Sequence, residues 1–427
     1  MSMKCKRVVP ALLAAVLLVM VTATQAQQPV PGAALPMPPR PTVAMPQMPT
    51  PPPPALDAIS YVLMDYQTGQ LIAHHDMHMR LPPASLTKLM TAYVVDAALA
   101  SGKVHWNDKV YISDHAWAKG GAGTDGSTSF LKLHHYYPLS EVYKGMIVQS
   151  GNDAAIALAE HVAGTEGAFV QLMNAYAQRL GMKGTHYSDA DGYPKPDLYV
   201  TAYDLALLAR ALIHDFPQYY YVYKIPHVTI DGIKQWNRNM LLWRDPSVDG
   251  LKTGSTAEAG FCLVASAERN GQRLIGVVMK TKSLSDAANQ DEALFNYGFR
   301  FFTTRTLYKP NQALATPVVW KGASGTLPVG VTQAVAVTLP RGHYADLKAS
   351  MDIPATLIAP FKQGQRIGTL SVSLDGKVLT QAPLVALRAV PEAGVFGRLW
   401  DSMRLWWAGG KSAARTPVAA PVAASKP

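Results

Sequence analysis

The chain reads as an α+β protein in which an antiparallel sheet flanked by helices precedes a small all-β domain and a C-terminal amphipathic helix. Three observations predict this. Strand-like runs stand at both ends of the region from about 58 to 300, with helical spacing between them. From about Leu307 to Val390 only short alternating runs punctuated by glycine and proline remain. Beyond them, VFGRLWDSMRLWWAGG gathers its apolar residues on one helical arc.

Taken in order, the N-terminus carries Lys4, Lys6 and Arg7 before an apolar run from Val8 to Ala23, the pattern of a signal peptide cut after Ala26. Residues 27–54 are proline-dominated and read as an extended linker. A first domain is expected over 55–305. ISYVLMD and QLIAHH form a hairpin, LTKLMTAYVVDAALA a helix, and LSEVYKGMIVQS, NDAAIALAEHVAG, EGAFVQLMNAYAQRLG and TAYDLALLARALIHD further helices. AGFCLVASAE and QRLIGVVMK flank Asn270-Gly271, a hairpin signal, and EALFNYGFRFF closes the domain as a helix. Residues 306–391 form the all-β domain, 392–410 the helix, and 411–427 a disordered tail.

Phe396, Leu399, Trp400, Met403, Trp406 and Trp407 fall within one arc of about 120° at 100° per residue. Three tryptophans with flanking arginines on an exported chain point to a helix lying in a membrane interface. A helix packed on the β domain is the competing reading. The formal net charge is +10, and loss of the signal leaves 36 basic against 29 acidic groups. No basic cluster interleaved with aromatics suggests nucleic acid, so the charge points to solubility or to an anionic surface. Cys5 leaves with the signal, and Cys262, in an apolar strand, is expected to be a buried, inert thiol without a disulfide. No cofactor is expected. Nor is a metal, because His74 and His75 lie on a strand and point to opposite faces, with His78 the remaining candidate.

The chemistry starts at LPPASLTKLM. Serine attacks a carbonyl only with a base in contact, and Ser85 and Lys88, three residues apart, share one helical face. Lysine is a base only when burial or a neighbouring cation lowers its pKa. Ser85 in a first helical turn also gives a developing oxyanion the favourable dipole end. A helix cap would explain the same serine. Ser150 and Asn152 follow in QSGNDA, where a cap would again suffice. Lys252, Thr253 and Gly254 follow in VDGLKTGST, where a turn entering a strand would suffice. All three motifs in this order form the signature of penicillin-recognising serine enzymes.

On these motifs, and on NRNMLLW, SGNDAAIALAEH and FNYGFRFF, nearly the whole chain resembles the low-molecular-mass penicillin-binding proteins of the D-alanyl-D-alanine carboxypeptidase family, serine-type and peptidase S11-like. The resemblance implies a serine β-lactamase/transpeptidase-like domain and removal of the terminal D-alanine from peptidoglycan stem pentapeptides. It implies Ser85 as nucleophile, Lys88 as its base, and Ser150 as a proton relay coupled to Lys252. Asn152 orients the substrate amide, Thr253, Lys252 and Arg238 bind the terminal carboxylate, and the amides of Ser85 and Ser255 form the oxyanion hole, with Gly254 a further substrate-binding residue. It implies β-lactams as inhibitors and a place on the periplasmic face of the cytoplasmic membrane. By counting back from GFRFF, a position where some relatives carry a further carboxylate-binding arginine is Ala288. The His134-His135-Tyr136-Tyr137 run is unusual for a loop bordering the site. A class A β-lactamase is a rival, but no glutamate occurs between Glu166 and Glu258 and the second motif is Ser-Gly-Asn, so slow β-lactam turnover is expected. An endopeptidase on the same fold and a non-catalytic wall-binding scaffold are two further rivals.

Overall fold

The computed structural model describes residues 50–408 and the short strand Val418–Ala419. The signal segment and the linker up to residue 49 lie outside the described residues. At the linker's end, the Tyr297 hydroxyl donates to the Pro51 carbonyl at 2.8 Å.

In the first domain the strands Ser60–Asp65 and Leu71–His75 meet Val248–Thr256, Gly260–Arg269 and Gln272–Thr281 in one five-stranded antiparallel sheet. Ser60–Asp65 pairs with Gln272–Thr281, so strands about 200 residues apart in sequence lie side by side. Alternation along the strands decides which face each residue covers. Val62, Ile275 and Val277 face a core shared with the helices Lys88–Ala100, Asn152–Ala163, Glu166–Arg179 and Ala202–Asp215. Leu63, Leu274 and Val278 face a second core beneath the Leu284–Phe301 helix. Side-chain oxygens fix the helix starts: Thr165 accepts from Ala168 N, Thr201 from Asp204 N and Ser283 from Asp286 N.

Val248–Thr256 is the edge strand next to Gly260–Arg269, so one rim of the sheet stays open. That rim passes the turn that holds Ser85. A Cβ on Gly254 would lie 2.8 Å from the Pro83 carbonyl oxygen and 3.1 Å from the Leu86 nitrogen. Only a glycine lets strand and turn approach so closely.

The second domain begins at Phe302, not at 306, because Phe302–Tyr308 leaves the long helix directly and pairs with Val335–Pro340. Its core includes Leu307, Val329, Leu347, Leu370 and Leu384. A polar seam joins the domains: Gln67 Nε2 donates to Thr306 Oγ1 at 2.8 Å, Thr68 and Thr338 hydroxyls lie 2.8 Å apart, and Thr304 Oγ1 donates to Asp65. The final helix runs Val395–Ala408 and starts three residues later than the expected 392; residues 409 and 410 lie outside the described residues. Within the segment expected to be a structureless tail, Val418–Ala419 pairs with Ser350 and Met351; the rest lies outside the described residues.

Candidate active site

Pro83 ends the extended entry, and Ala84–Thr87 forms a tight 3₁₀ turn before the Lys88–Ala100 helix. Ser85 therefore does not cap the helix. In a 3₁₀ turn residues i and i+3 eclipse, which brings Ser85 against Lys88. Lys88 Nζ donates to Ser85 Oγ at 2.9 Å, to Asn152 Oδ1 at 2.7 Å and to the Asp191 carbonyl at 2.6 Å. Three acceptors match the three donors of an ammonium. Ser85 is half-buried, whereas Lys88 is buried completely. Burial pulls its pKa down to about 8; Asp191, Asp189 and Asp153 oppose that shift and Arg238 adds to it.

Asn152 and Ser150 come from a second corner. The expected helix over LSEVYKGMIVQS breaks into Leu139–Lys144 and a π-helical turn Gly145–Gln149, which delivers Ser150 in a left-handed conformation with φ 72°. Asn152 then opens the next helix behind Gly151. Ser150 Oγ is buried without a hydrogen-bond partner, so the expected link to Lys252 is not closed in this structure. The Asp153 carboxylate accepts from Ser129 N, Leu131 N and Thr128 Oγ1, and Asn152 N donates to the Ser127 carbonyl. These bonds tie the loop from 127 to 131 to the Ser150 corner.

The edge strand carries the third group. Lys252 is buried and donates to the Thr253 carbonyl at 3.1 Å. Burial first, then the charges of Lys88 and Arg238, holds its pKa well below the usual lysine value. Thr253 is buried beside it and Ser255 is exposed at the rim. The motif thus lies inside the strand, not in a turn before it.

Arg238 is fixed by its neighbours. Buried Asn237 donates to the carbonyls of Tyr223 and Ile225, and buried Asn239 donates to the Gly250 carbonyl. Arg238 Nη1 donates to Ser127 Oγ at 2.9 Å, and burial lowers its pKa. One missed element is the loop Asp189–Gly192. Besides the Lys88 bond, Thr91 Oγ1 donates to the Ala190 carbonyl at 2.6 Å, and Gly192 N donates to Asp189 Oδ1 at 2.7 Å. Gly192 has φ +89°, and a Cβ there would sit 1.9 Å from the Ala84 carbonyl oxygen. Asp-Gly is a turn signal in sequence, yet nothing local says that this turn meets the catalytic lysine. Glu166, the first residue of its helix, reaches this loop and accepts from Ala190 N at 3.1 Å.

One expectation fails. Ala288 is buried in the core under the sheet, because the helix register turns that position inward, so an arginine there would not face substrate. The His134–Tyr137 run leads into the short strand Tyr136–Pro138, which pairs with Lys109–Tyr111; Tyr137 donates to Asp231, and His134 stacks on Tyr111. Cys262 is buried and free, and burial pushes its thiol up to about 11.

A model of the D-alanyl-D-alanine carboxypeptidase family, peptidase S11, matches residues 46–283. The chain belongs to this family. A second model, the C-terminal domain of penicillin-binding protein 5, matches residues 302–392, in line with the domain start at Phe302. D-alanyl-D-alanine carboxypeptidase DacC of Escherichia coli is 44% identical over 351 residues, covering 82% of this chain and 88% of that protein. DacA of the same organism is 42% identical over 355 residues, with the same shares covered. Among solved structures, penicillin-binding protein 5 from Haemophilus influenzae aligns with TM-score 0.76 at 37% identity, covering 80% of this chain and 100% of that one. An ampicillin-bound form of penicillin-binding protein D2 from Listeria monocytogenes aligns with TM-score 0.53 at 30% identity, covering 58% of this chain and 100% of that one.

Proposed function

We propose that this chain removes the terminal D-alanine from peptidoglycan stem pentapeptides through an acyl-enzyme on Ser85. The observation that carries this reading is the contact of half-buried Ser85 with a fully buried lysine whose pKa is pulled to about 8. Once Lys88 loses a proton, its lone pair faces Ser85 Oγ and accepts the hydroxyl proton as Oγ bonds to the penultimate D-alanine carbonyl. Charge developing on the carbonyl oxygen is met by the amides of Ser85 and Ser255, on the turn and strand that Gly254 lets approach. The C–N bond breaks as the leaving nitrogen takes a proton through Ser150, resupplied from the lysine pair Lys88 and Lys252. Arg238, Thr253 and Lys252 hold the terminal carboxylate, and Asn152 orients the amide. The open edge of Val248–Thr256 suits an extended peptide, which pairs as an added strand. Water then cleaves the ester and restores Ser85.

β-Lactams, as mimics of the D-Ala-D-Ala end, acylate the same serine. The chain acts after export, on the periplasmic side, with the last helix lying on the membrane. Phe396, Leu399, Trp400, Met403, Trp406 and Trp407 are all exposed, while Asp401 on the other side accepts from Lys321 N at 2.6 Å. A helix that turns its polar side to the β domain and its aromatic side to solvent fits an interfacial anchor, not a packed helix. Among the described residues no helix is long and apolar enough to cross a membrane.

The test is D-alanine release from a soluble pentapeptide ending in D-Ala-D-Ala. The wild type is expected to release it and Ser85→Ala to fall at least about a thousandfold. Release by Ser85→Ala at the wild-type rate would exclude Ser85 as the nucleophile.

A further inference from the structure

Trp236 and Trp243 are 52% and 53% exposed, with ring centroids 5.7 Å apart. His227, opposite Trp236 in the hairpin of His227–Ile230 and Ile233–Trp236, meets its ring edge-on at 5.3 Å. The Lys234 ammonium lies 4.2 Å from the Trp236 ring centroid. Exposed indoles clustered in this way are costly to leave in water without a partner.

The cluster is tied to the active site by backbone geometry. Asn237 and Asn239 are buried and pinned by their hydrogen bonds to the carbonyls of Tyr223 and Gly250. In extended chain, residues two apart share a face, about 7 Å from one to the next. With Asn237 turned inward, Lys234, Trp236 and Arg238 form a row along the other face. It runs from open surface to the guanidinium that borders the Ser85 pocket.

We propose that Trp236 and Trp243 form a saccharide-binding platform that stacks on pyranose rings of the glycan strands in the cell-wall polymer. The proposal rests on the carboxypeptidase reading of the Ser85 site and adds a binding site outside the pocket. A pyranose offers one face of C–H groups, which covers an indole, and a rim of hydroxyl and amide groups, which reach Lys234, His227 and Arg238. The core of a protein–protein patch is depleted in lysine, whereas Lys234 lies directly on the Trp236 ring. The continuity with Arg238 also fixes the direction. The platform lies past the group assigned to the terminal carboxylate, so the glycan that it holds belongs to a strand beside the one whose peptide is cut. Such a grip would keep the enzyme on the polymer between turnovers.

The experiment measures retention of the full chain on immobilised, peptide-free glycan strands, for wild type and Trp236→Ala/Trp243→Ala. D-Alanine release from free pentapeptide is measured alongside. The wild type is expected to bind and the double variant to bind about tenfold or more weakly, with free-peptide turnover changed less than about twofold. Labelling by a fluorescent penicillin confirms that the variant is folded; if it is not, Trp236→Leu, which keeps apolar bulk without an aromatic face, takes its place. Absence of wild-type retention, or equal retention by the variant, would overturn the proposal. So would a variant that keeps its glycan binding and loses binding to anionic phospholipid vesicles, because the patch would then be a membrane contact. A wild type that binds glycan but releases no D-alanine would instead sink the carboxypeptidase reading and leave the platform standing.

Discussion

At the residue scale the decisive group is Lys88. Its three acceptors satisfy the ammonium form, and burial makes that form costly enough to bring the pKa to about 8. The sign of the pH dependence follows. Below about 8 the folded protein holds Lys88 mostly charged and unable to accept a proton. The rate of acylation should therefore rise about tenfold per pH unit up to about 8 and level off above it. A stopped-flow titration with a chromogenic β-lactam over pH 5–10 checks this, and a flat profile through neutrality would remove Lys88 as the base. Ser85 and Lys88 were legible in sequence because their contact is local, three residues along one turn. The Asp191 carbonyl, Asp153 and Ser127 were not, since each meets the site only after distant segments fold onto it. Ala288 shows the same limit from the other side: counting along the chain gives a position but not the face that it occupies.

At the element scale the site is the meeting of a turn, a broken helix and an edge strand. Periodicity predicted the strands of the two hairpins and the helices Lys88–Ala100, Asn152–Ala163, Glu166–Arg179 and Ala202–Asp215, because each buries an apolar face of the matching period. It could not predict the 3₁₀ turn at Ala84–Thr87 or the π-helical turn at Gly145–Gln149, which are too short to carry a period. Their geometry comes from packing. The loop at Gly192 presses on Ala84, where a Cβ would meet a carbonyl oxygen at 1.9 Å. Gly192→Ala is expected to destabilise the domain by roughly 2–4 kcal/mol and to slow acylation, because relief of the clash must move the Ser85 turn. Urea denaturation with penicillin labelling reads both. An unchanged midpoint with unchanged labelling would mean that the loop does not hold the turn.

At the scale of the whole molecule, two domains share a polar seam, and a helix at the far end offers its aromatic side outward. The composition change near residue 306 revealed the second domain. The junction itself lies at Phe302, because the helix runs straight into a strand with no linker residues to mark it. Truncation after Glu392 is expected to leave D-alanine release within about twofold of wild type and to abolish sedimentation with phospholipid vesicles. Vesicle binding that survives the truncation would place the membrane contact elsewhere. The central claim concerns one covalent bond. Intact-mass spectrometry of the whole chain after exposure to a penicillin, followed by tryptic mapping, should find one added penicilloyl group on the Leu81–Lys88 peptide, at Ser85. An unmodified chain, or an adduct on any other peptide, would contradict the account.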